Sequence, residues 1–262
     1  MSDYIVKIKD NFNAFDAQYM IGRPFNILDH TDSTNNHAMR MIRAGLATHG
    51  EVYFALEQIA GRGQSGRSWD SEPGKNLMIS IVLQKNLPEI KQLFNISLCI
   101  VLSCLDLFNK HTNGDMSIKW PNDIFWRDRK AGGILIENVI SGNTISHSII
   151  GIGLNINQTV FPDFTRKVVS LKQITGKSYN PVELADELCN LIDQKLQSWS
   201  TQLDSMLEQY NNHLFRKNES IEFNHNNQRT LGIVKHVNSE GCLGILREKI
   251  DYFYSGEITW LL

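Results

Sequence analysis

Two short clusters in this chain combine residue types and spacings that suit the handling of a negatively charged ligand. The first is Gly61-Arg62-Gly63-Gln64-Ser65-Gly66-Arg67-Ser68-Trp69. Gly61, Gly63 and Gly66 satisfy G-x-G-x-x-G, and Gly61 to Ser68 miss G-x-x-x-x-G-K-[ST] only because Arg67 takes the lysine position. Both patterns hold phosphate on the N-terminal amides of a following helix. Here Trp69-Asp70-Ser71-Glu72-Pro73-Gly74 cannot continue a helix, and Leu77 to Leu83 reads as a buried strand. The cluster therefore joins two strands, Glu51–Leu56 and Leu77–Leu83, as a basic glycine loop. Such a loop is either a flap that wraps an anion or a disordered hairpin tip. The second cluster is Lys119-Trp120-Pro121-Asn122-Asp123, followed seven residues on by Lys130-Ala131-Gly132-Gly133. Pro121 fixes the backbone, Asn122 and Asp123 offer an amide and a carboxylate of the kind that hold ribose hydroxyls or a magnesium ion, and Lys130 can bring a point charge to a phosphate or carboxylate. A Pro-Asn-Asp turn with solvated lysines is the plainer reading.

The elements that must position these clusters alternate strands and helices from residue 25 to about 160, which argues for a central sheet with helices against it. Thr31-Asp32-Ser33 offers capping side chains ahead of a first helix over about Thr34 to Ala44, stopped by Gly45. Leu93 to Lys110 reads as a long buried helix, whose most apolar stretch, Leu93 to Phe108, is interrupted by Asn95, Ser97, Ser103 and Asp106 and is too short to span a bilayer. Strands follow at Met116–Trp120, Ile134–Val139 and His147–Ile156, the first two joined by the Pro-Asn-Asp turn and a charged tip at 127–130. This is a meander, so the sheet is expected to be mixed. Asn180 as cap, Pro181 at the first helical position and Glu183 at the third announce a helix with Leu184, Leu188, Ile192, Leu196, Trp199 and Leu203 on one stripe, packing on the sheet. Beyond Asn211, strands at Ser220–Phe223, Arg229–Val237, Cys242–Leu246 and Tyr252–Leu261 predict a small β-barrel. The expected fold is α+β: a catalytic domain over 1–212 built on a central mixed sheet with helices, and a barrel over 213–262.

Composition narrows the classes. With 262 residues the chain can bury a core without disulfides or metal, and a net charge of −2 with mixed signs gives no electrostatic footprint for nucleic acid or an anionic membrane. Cys99, Cys104, Cys189 and Cys242 show no zinc or C-x-x-C spacing and read as buried thiols in a reducing compartment, with the cytoplasm as the default. The charged segment Met1 to Asp10 lacks the apolar core of a signal peptide. Eight histidines form no ligand spacing, so no protein-bound metal is expected.

Taken together, Ser33-Thr34-Asn35, the glycine loop with Gln58 before it, Lys119 to Gly133, and Gly151-Ile152-Gly153-Leu154-Asn155 resemble the biotin protein ligase family. That family carries an S-T-N segment, a G-R-G-R-x-G-R loop ending in Trp, a K-W-P-N-D turn, a K-x-x-G-I-L strand and a G-I-G-x-N strand, and the motifs run in the family's order across residues 31 to 157. The resemblance implies a class II synthetase-like catalytic domain and a C-terminal barrel of SH3-like type. It implies that biotin and MgATP give biotinyl-5′-AMP and pyrophosphate, and that a lysine of a biotin carboxyl carrier domain, most plausibly that of acetyl-CoA carboxylase, then displaces AMP.

On the same resemblance, Lys130 and Arg62 are the catalytic cations that neutralise the biotin carboxylate and the α-phosphate. Ser33, Thr34, Asn35, Gln58, Arg62, Gly63, Gln64 and Lys130 are assigned to biotin, with helix capping as a compatible role for Ser33. Trp69 is assigned to adenine, with core packing as the alternative, and Lys119, Asn122, Asp123 and Asn155 to the phosphates and their magnesium. One residue departs from the pattern: Gln64 stands where many relatives carry a second arginine, which implies a weaker grip on the adenylate. About thirty residues precede Ser33, too few for the N-terminal winged-helix domain of family members that bind DNA. No nucleic-acid or membrane partner is expected, and a homodimer paired through sheet edges stays open. A lipoate or octanoate ligase or transferase of the same fold, and a non-enzymatic biotin sensor, are the alternatives.

Overall fold

The computed structural model describes residues 20–84, 87–161 and 167–261; the charged N-terminal segment at 1–10 lies outside them. Period-two alternation of side chains organises the main sheet. It is built from β1 (Phe25–Thr31), β2 (Val52–Gln58), β3 (Leu77–Leu83), β4 (Met116–Lys119), β5 (Asp123–Trp126), β6 (Arg129–Ser141) and β7 (Thr144–Leu154), in the order β1-β2-β3-β7-β6-β5-β4. The β1–β2 pair is parallel and every other pair is antiparallel, so the sheet is mixed as the meander predicts. On β3 all seven residues are buried. Leu77, Ile79, Ile81 and Leu83 face the main core, whereas Val82 faces the other side with Tyr53 and Ile149. That second face is covered by α1 (Thr34–Arg43) through Ala38, Met39 and Ile42.

The main core lies under α2 (Leu93–His111) and α4 (Pro181–Asn212), with the short α3 (Leu171–Thr175) beside them. Twelve of the nineteen residues of α2 are buried, which is why it is apolar all round. With 19 residues and a mean hydropathy of 1.5 it is long and apolar enough to cross a membrane by length and composition, which corrects the reading of it as too short. In this fold 67% of that stretch is buried among other elements, as in a core helix. The α4 start follows its signals: Asn180 accepts from the Val182 amide at 3.0 Å, and its amide donates to Glu183 at 2.9 Å. Its stripe packs chiefly on α2 rather than on the sheet.

The C-terminal strands are β8 (Ser220–His225), β9 (Gln228–Val237), β10 (Leu243–Leu246), β11 (Ile250–Phe253) and β12 (Ile258–Leu261). They form one antiparallel sheet ordered β11-β10-β9-β8-β12. Among the described residues its end strands do not pair, so the hydrogen-bonded ladder is open where a closed barrel was expected. The expected Tyr252–Leu261 strand is two strands divided by a turn in which the Glu257 amide donates to the Tyr254 carbonyl. This sheet is tied to the rest of the chain by Trp120 Nε1, just after β4, donating to Gly241 O (2.9 Å), by Asn211 at the end of α4 bridging both backbone groups of Val237, and by the His213–Phe215 connection pairing with Ile118 on β4. Gly241 has φ +84, and a Cβ there would meet the Phe94 ring at 2.7 Å, so this contact requires glycine.

Candidate active site

One cleft of about 720 Å³ opens on the α1 side of the main sheet and reaches the C-terminal sheet. Its floor is strand β7. Gly151 and Gly153 point into it, and adding a Cβ would bring Gly151 to 2.4 Å from Asn35 Oδ1 and Gly153 to 2.6 Å from the Trp69 ring. The G-I-G segment thus removes two side chains on the site face while Ile150, Ile152 and Leu154 fill the core on the opposite face.

At one end of the cleft lies a cup of buried polar groups. Ser33, Thr34 and Asn35 are each nearly inaccessible at the N-terminus of α1. Ser33 is the N-cap residue by position, yet its side chain makes no capping bond. The orphan amide of Thr34 is taken instead by Gln58 Oε1 at 2.8 Å, which also accepts from the Thr34 hydroxyl at 3.2 Å. The capping role expected for Ser33 therefore belongs to a glutamine on β2. Ser80 Oγ lies 2.7 Å from Thr34 Oγ1 and 2.5 Å from Asn35 Oδ1. Asn35 Nδ2 donates to Glu137 Oε2 (2.8 Å) and Leu135 O (3.3 Å). Ser80 and Glu137 were missed by sequence reasoning. A lone serine within the apolar Leu77–Leu83 run was the available signal for Ser80; nothing local marked Glu137.

The glycine loop arches beside the cup, and as expected no helix follows it. A β-bridge joins Arg62 to Ser68, the Gly63 amide donates to Arg67 O (2.7 Å), and the Trp69 amide donates to Gly61 O (2.9 Å). Gln64–Gly66 forms a single 3-10 turn in which Ser65 and Gly66 have φ of 55 and 73. A Cβ on Gly61 would lie 2.3 Å from Trp69 O, so the closed stem requires glycine there. The loop is a closed hairpin, not a disordered tip. Arg62 donates to Asn36 Oδ1 at 2.7 Å and pairs with Glu137 Oε1 at 2.8 Å. Gly63 and Gln64 both line the cleft. Trp69, half-buried, lays its ring on Gly153 with Lys130 Nζ 5.9 Å from its centre, and its Nε1 is buried without a partner.

At the other end, β4, β5 and β6 supply the lysines. Sequence reasoning passed over β5 and placed the start of β6 at Ile134; the strand begins at Arg129, so Lys130 is held in ladder geometry. Its Nζ is 2.6 Å from Asp123 Oδ1, with the two side chains 30% and 17% exposed. Asn155 and Asn122 prove to be backbone braces: Asn155 Nδ2 donates to Lys130 O (3.4 Å) and Val169 O (3.3 Å), while Asn122 Nδ2 donates to Ile134 O (2.5 Å). Lys119 projects between two rings, 5.3 Å from the centre of Phe125 and 5.7 Å from that of Trp260 on β12. Burial pulls its pKa below the ordinary lysine value; Asp123 opposes that, and Lys130 and Arg67 reinforce it. Cations (Arg62, Arg67, Lys119, Lys130, Lys167, Arg216) outweigh the acids Asp70, Asp123 and Asp128 along the lining. All thirteen positions expected from the sequence to form the site (Ser33, Thr34, Asn35, Gln58, Arg62, Gly63, Gln64, Trp69, Lys119, Asn122, Asp123, Lys130 and Asn155) line this one cleft. Phe215, Ser255, Gly256, Thr259 and Trp260 join them from beyond residue 212, which the sequence did not announce. No group of three metal-ligating side chains occurs among the described residues.

A buried polar cup, a half-buried aromatic wall and an excess of cations share this one cleft, which gives it the chemistry to hold a polar, anionic ligand. The model of the biotin/lipoate A/B protein ligase family matches residues 27–155. A biotin–[acetyl-CoA-carboxylase] ligase of Paracoccus denitrificans is 33% identical over 186 residues, 68% of this chain and 74% of that protein. The chain belongs to the biotin/lipoate protein ligase family. The bifunctional ligase/repressor BirA of Bacillus subtilis is 28% identical over 59% of this chain, which spans only 48% of the BirA length. Among solved structures, biotin protein ligase from Aquifex aeolicus in complex with biotin and ATP superposes with a TM-score of 0.76 at 25% identity, covering 90% of this chain and 98% of that one.

Proposed function

We propose that the chain is a cytoplasmic biotin–protein ligase, acting through 1–212 as catalytic domain and 213–262 as an SH3-like domain that closes the site. The observation that carries this reading is that Arg62, Trp69 and Lys130 line the same cleft as the buried polar cup, Lys130 with its Nζ 5.9 Å from the centre of the Trp69 ring. Biotin places its ureido ring in the cup of Ser33, Thr34, Asn35 and Gln58, where Thr34, Asn35 and Gln58 are already ordered by bonds to one another or to Ser80 and Glu137 and so present fixed donors and acceptors to a polar head. Its carboxylate then reaches Arg62 and Lys130, with Gly63 leaving the backbone accessible and Gln64 beside it. ATP stacks adenine on Trp69 and sets its phosphates toward Lys119 and Lys130.

A biotin carboxylate oxygen attacks the α-phosphorus; the bond to the bridging oxygen breaks and pyrophosphate leaves, giving biotinyl-5′-AMP. Lys130 screens the repulsion between the two anions, and Asp123 holds it in place without taking part in bond making. The neutral amine of a carrier lysine then attacks the acyl carbon, the bond to AMP breaks, and the amine proton goes to solvent. Magnesium would enter on the triphosphate, which supplies most of its ligands. Asp123, already paired with Lys130, is the carboxylate nearest to that role. The acceptor is the carboxyl carrier domain of an acetyl-CoA carboxylase, in line with the naming of the Paracoccus relative.

The test is pyrophosphate release with MgATP and biotin, lipoate or octanoate, with and without an apo carrier domain. Biotin-dependent release with carrier labelling is expected. Release with lipoate or octanoate alone would move the chain to the other branch of its family, and no release with any acid would make it a sensor.

A further inference from the structure

The glycine loop from Gly61 to Trp69 is closed by bonds within itself, and those bonds give it a shape but not a position. Its C-terminal end is anchored where Trp69 lies on Gly153. Its N-terminal limb is anchored by Arg62, whose two bonds are the side-chain hydrogen bonds joining residues 61–68 to other elements among the described residues. One goes to Asn36 on α1; the other is a charge-assisted bond to Glu137, in the middle of β6 and outside every motif of the chain.

Glu137 is an unexpected residue beside a cleft that recruits anions. Its side chain is 26% exposed, its Oε1 accepts from Arg62, and its Oε2 accepts from Asn35. Both neighbours present N–H donors, and only a carboxylate offers an acceptor to each at once. A glutamine would turn an NH₂ toward one of them, donor against donor. We propose that Glu137 is the positioning residue for Arg62: its carboxylate holds the guanidinium, and with it the glycine loop, at the mouth of the cleft before any ligand binds. The pair is half in solvent and adds little to global stability. Its effect is local, because a loop carrying Gly61, Gly63 and Gly66 has more freedom to lose on binding than an ordinary one.

Two experiments test this, and only the second rests on the biotin-ligase reading. In the unliganded protein, trypsin cleavage of the Arg67–Ser68 bond is followed by mass spectrometry. Glu137→Gln and Glu137→Ala are expected to be cut there, and at Arg62–Gly63 in the same loop, several-fold faster than wild type while cleavage outside residues 61–69 and thermal melting stay unchanged; equal rates would overturn the tether. In adenylation kinetics, Glu137→Ala and Arg62→Ala should each raise the KM for biotin by roughly ten- to a hundredfold, and the double variant should be no worse than Arg62→Ala. An additive loss in the double variant would overturn action through Arg62 and assign the effect to Asn35. Absence of biotin-dependent pyrophosphate release from wild type would sink the ligase reading, and the proteolysis result would still decide the tether.

Discussion

Gly153→Ala adds one methyl group to the floor of the cleft, where it would lie 2.6 and 2.7 Å from two carbons of the Trp69 ring. Ordinary carbon contact is about 3.5 Å, so the ring must retreat by roughly 0.9 Å. Residue 153 is extended on β7 with no positive φ, so alanine itself is not strained there and the whole effect falls on the neighbour. Trp69 is only half-buried and its free face is the cleft, so it moves toward the space assigned to adenine rather than into the core. Overpacking costs roughly 1–3 kcal/mol in a closed core; with one open face the low end applies, a fall in melting temperature of about 2–4 °C for a domain of this size. The activity effect should be larger, because a displacement near 1 Å at a positioned wall can cost about a hundredfold. The assay is adenylation at varied ATP and fixed saturating biotin, then the reverse. A ten- to hundredfold loss in kcat/KM for ATP, with the KM for biotin nearly unchanged, is expected. Unchanged ATP kinetics would refute the placement of adenine on Trp69, and an equal loss for both substrates would show that Gly153 acts on the cleft as a whole.

Lys130→Ala should reduce adenylate formation to background, since Lys130 is the cation assigned to both the carboxylate and the phosphates, while melting falls by only a few degrees because the lost partner of Asp123 is itself partly exposed; wild-type rates would move the catalytic role elsewhere. Because burial holds Lys119 below the ordinary lysine value, it loses its charge at a lower pH than a free lysine, and the KM for ATP should climb as pH rises through that lowered value. Lys119→Arg stays charged and should flatten that limb; if the limb survives in this variant, another group titrates. Gln64→Arg should reduce labelling of non-cognate lysines by escaped adenylate, and an unchanged amount would show that the residue at the start of the 3-10 turn does not control retention.

Much of the chain is legible without coordinates because the relevant physics is local. The buried Leu77–Leu83 run, the Asn180-Pro181 start of α4 and the Gly61–Trp69 loop each declare themselves within a few residues, through a nearly continuous apolar run, a cap and a stretch that cannot become a helix. The motif words in one order were enough to point to the family and to thirteen of the residues that line the cleft. β5 was missed because four residues between a turn and a charged tip are too short to show alternation. The C-terminal barrel was read from strand count and turn spacing, whereas closure depends on whether β11 and β12 meet, and among the described residues they do not pair.

What tertiary structure alone decided is which residues far apart in sequence become neighbours. Register across β3, β7 and β6 sets Ser80 opposite Gly151, and Gly151 opposite Leu135, which places Asn35 over glycine and within reach of Glu137, a residue 102 positions away. Docking of the C-terminal sheet brings Trp260 to Lys119 and makes a lysine from a K-W-P-N-D turn a half-dry cation. A sequence specifies the chemistry each residue carries; cross-strand register and domain docking choose its partners, because those depend on the packing of the whole sheet and on no single segment within it.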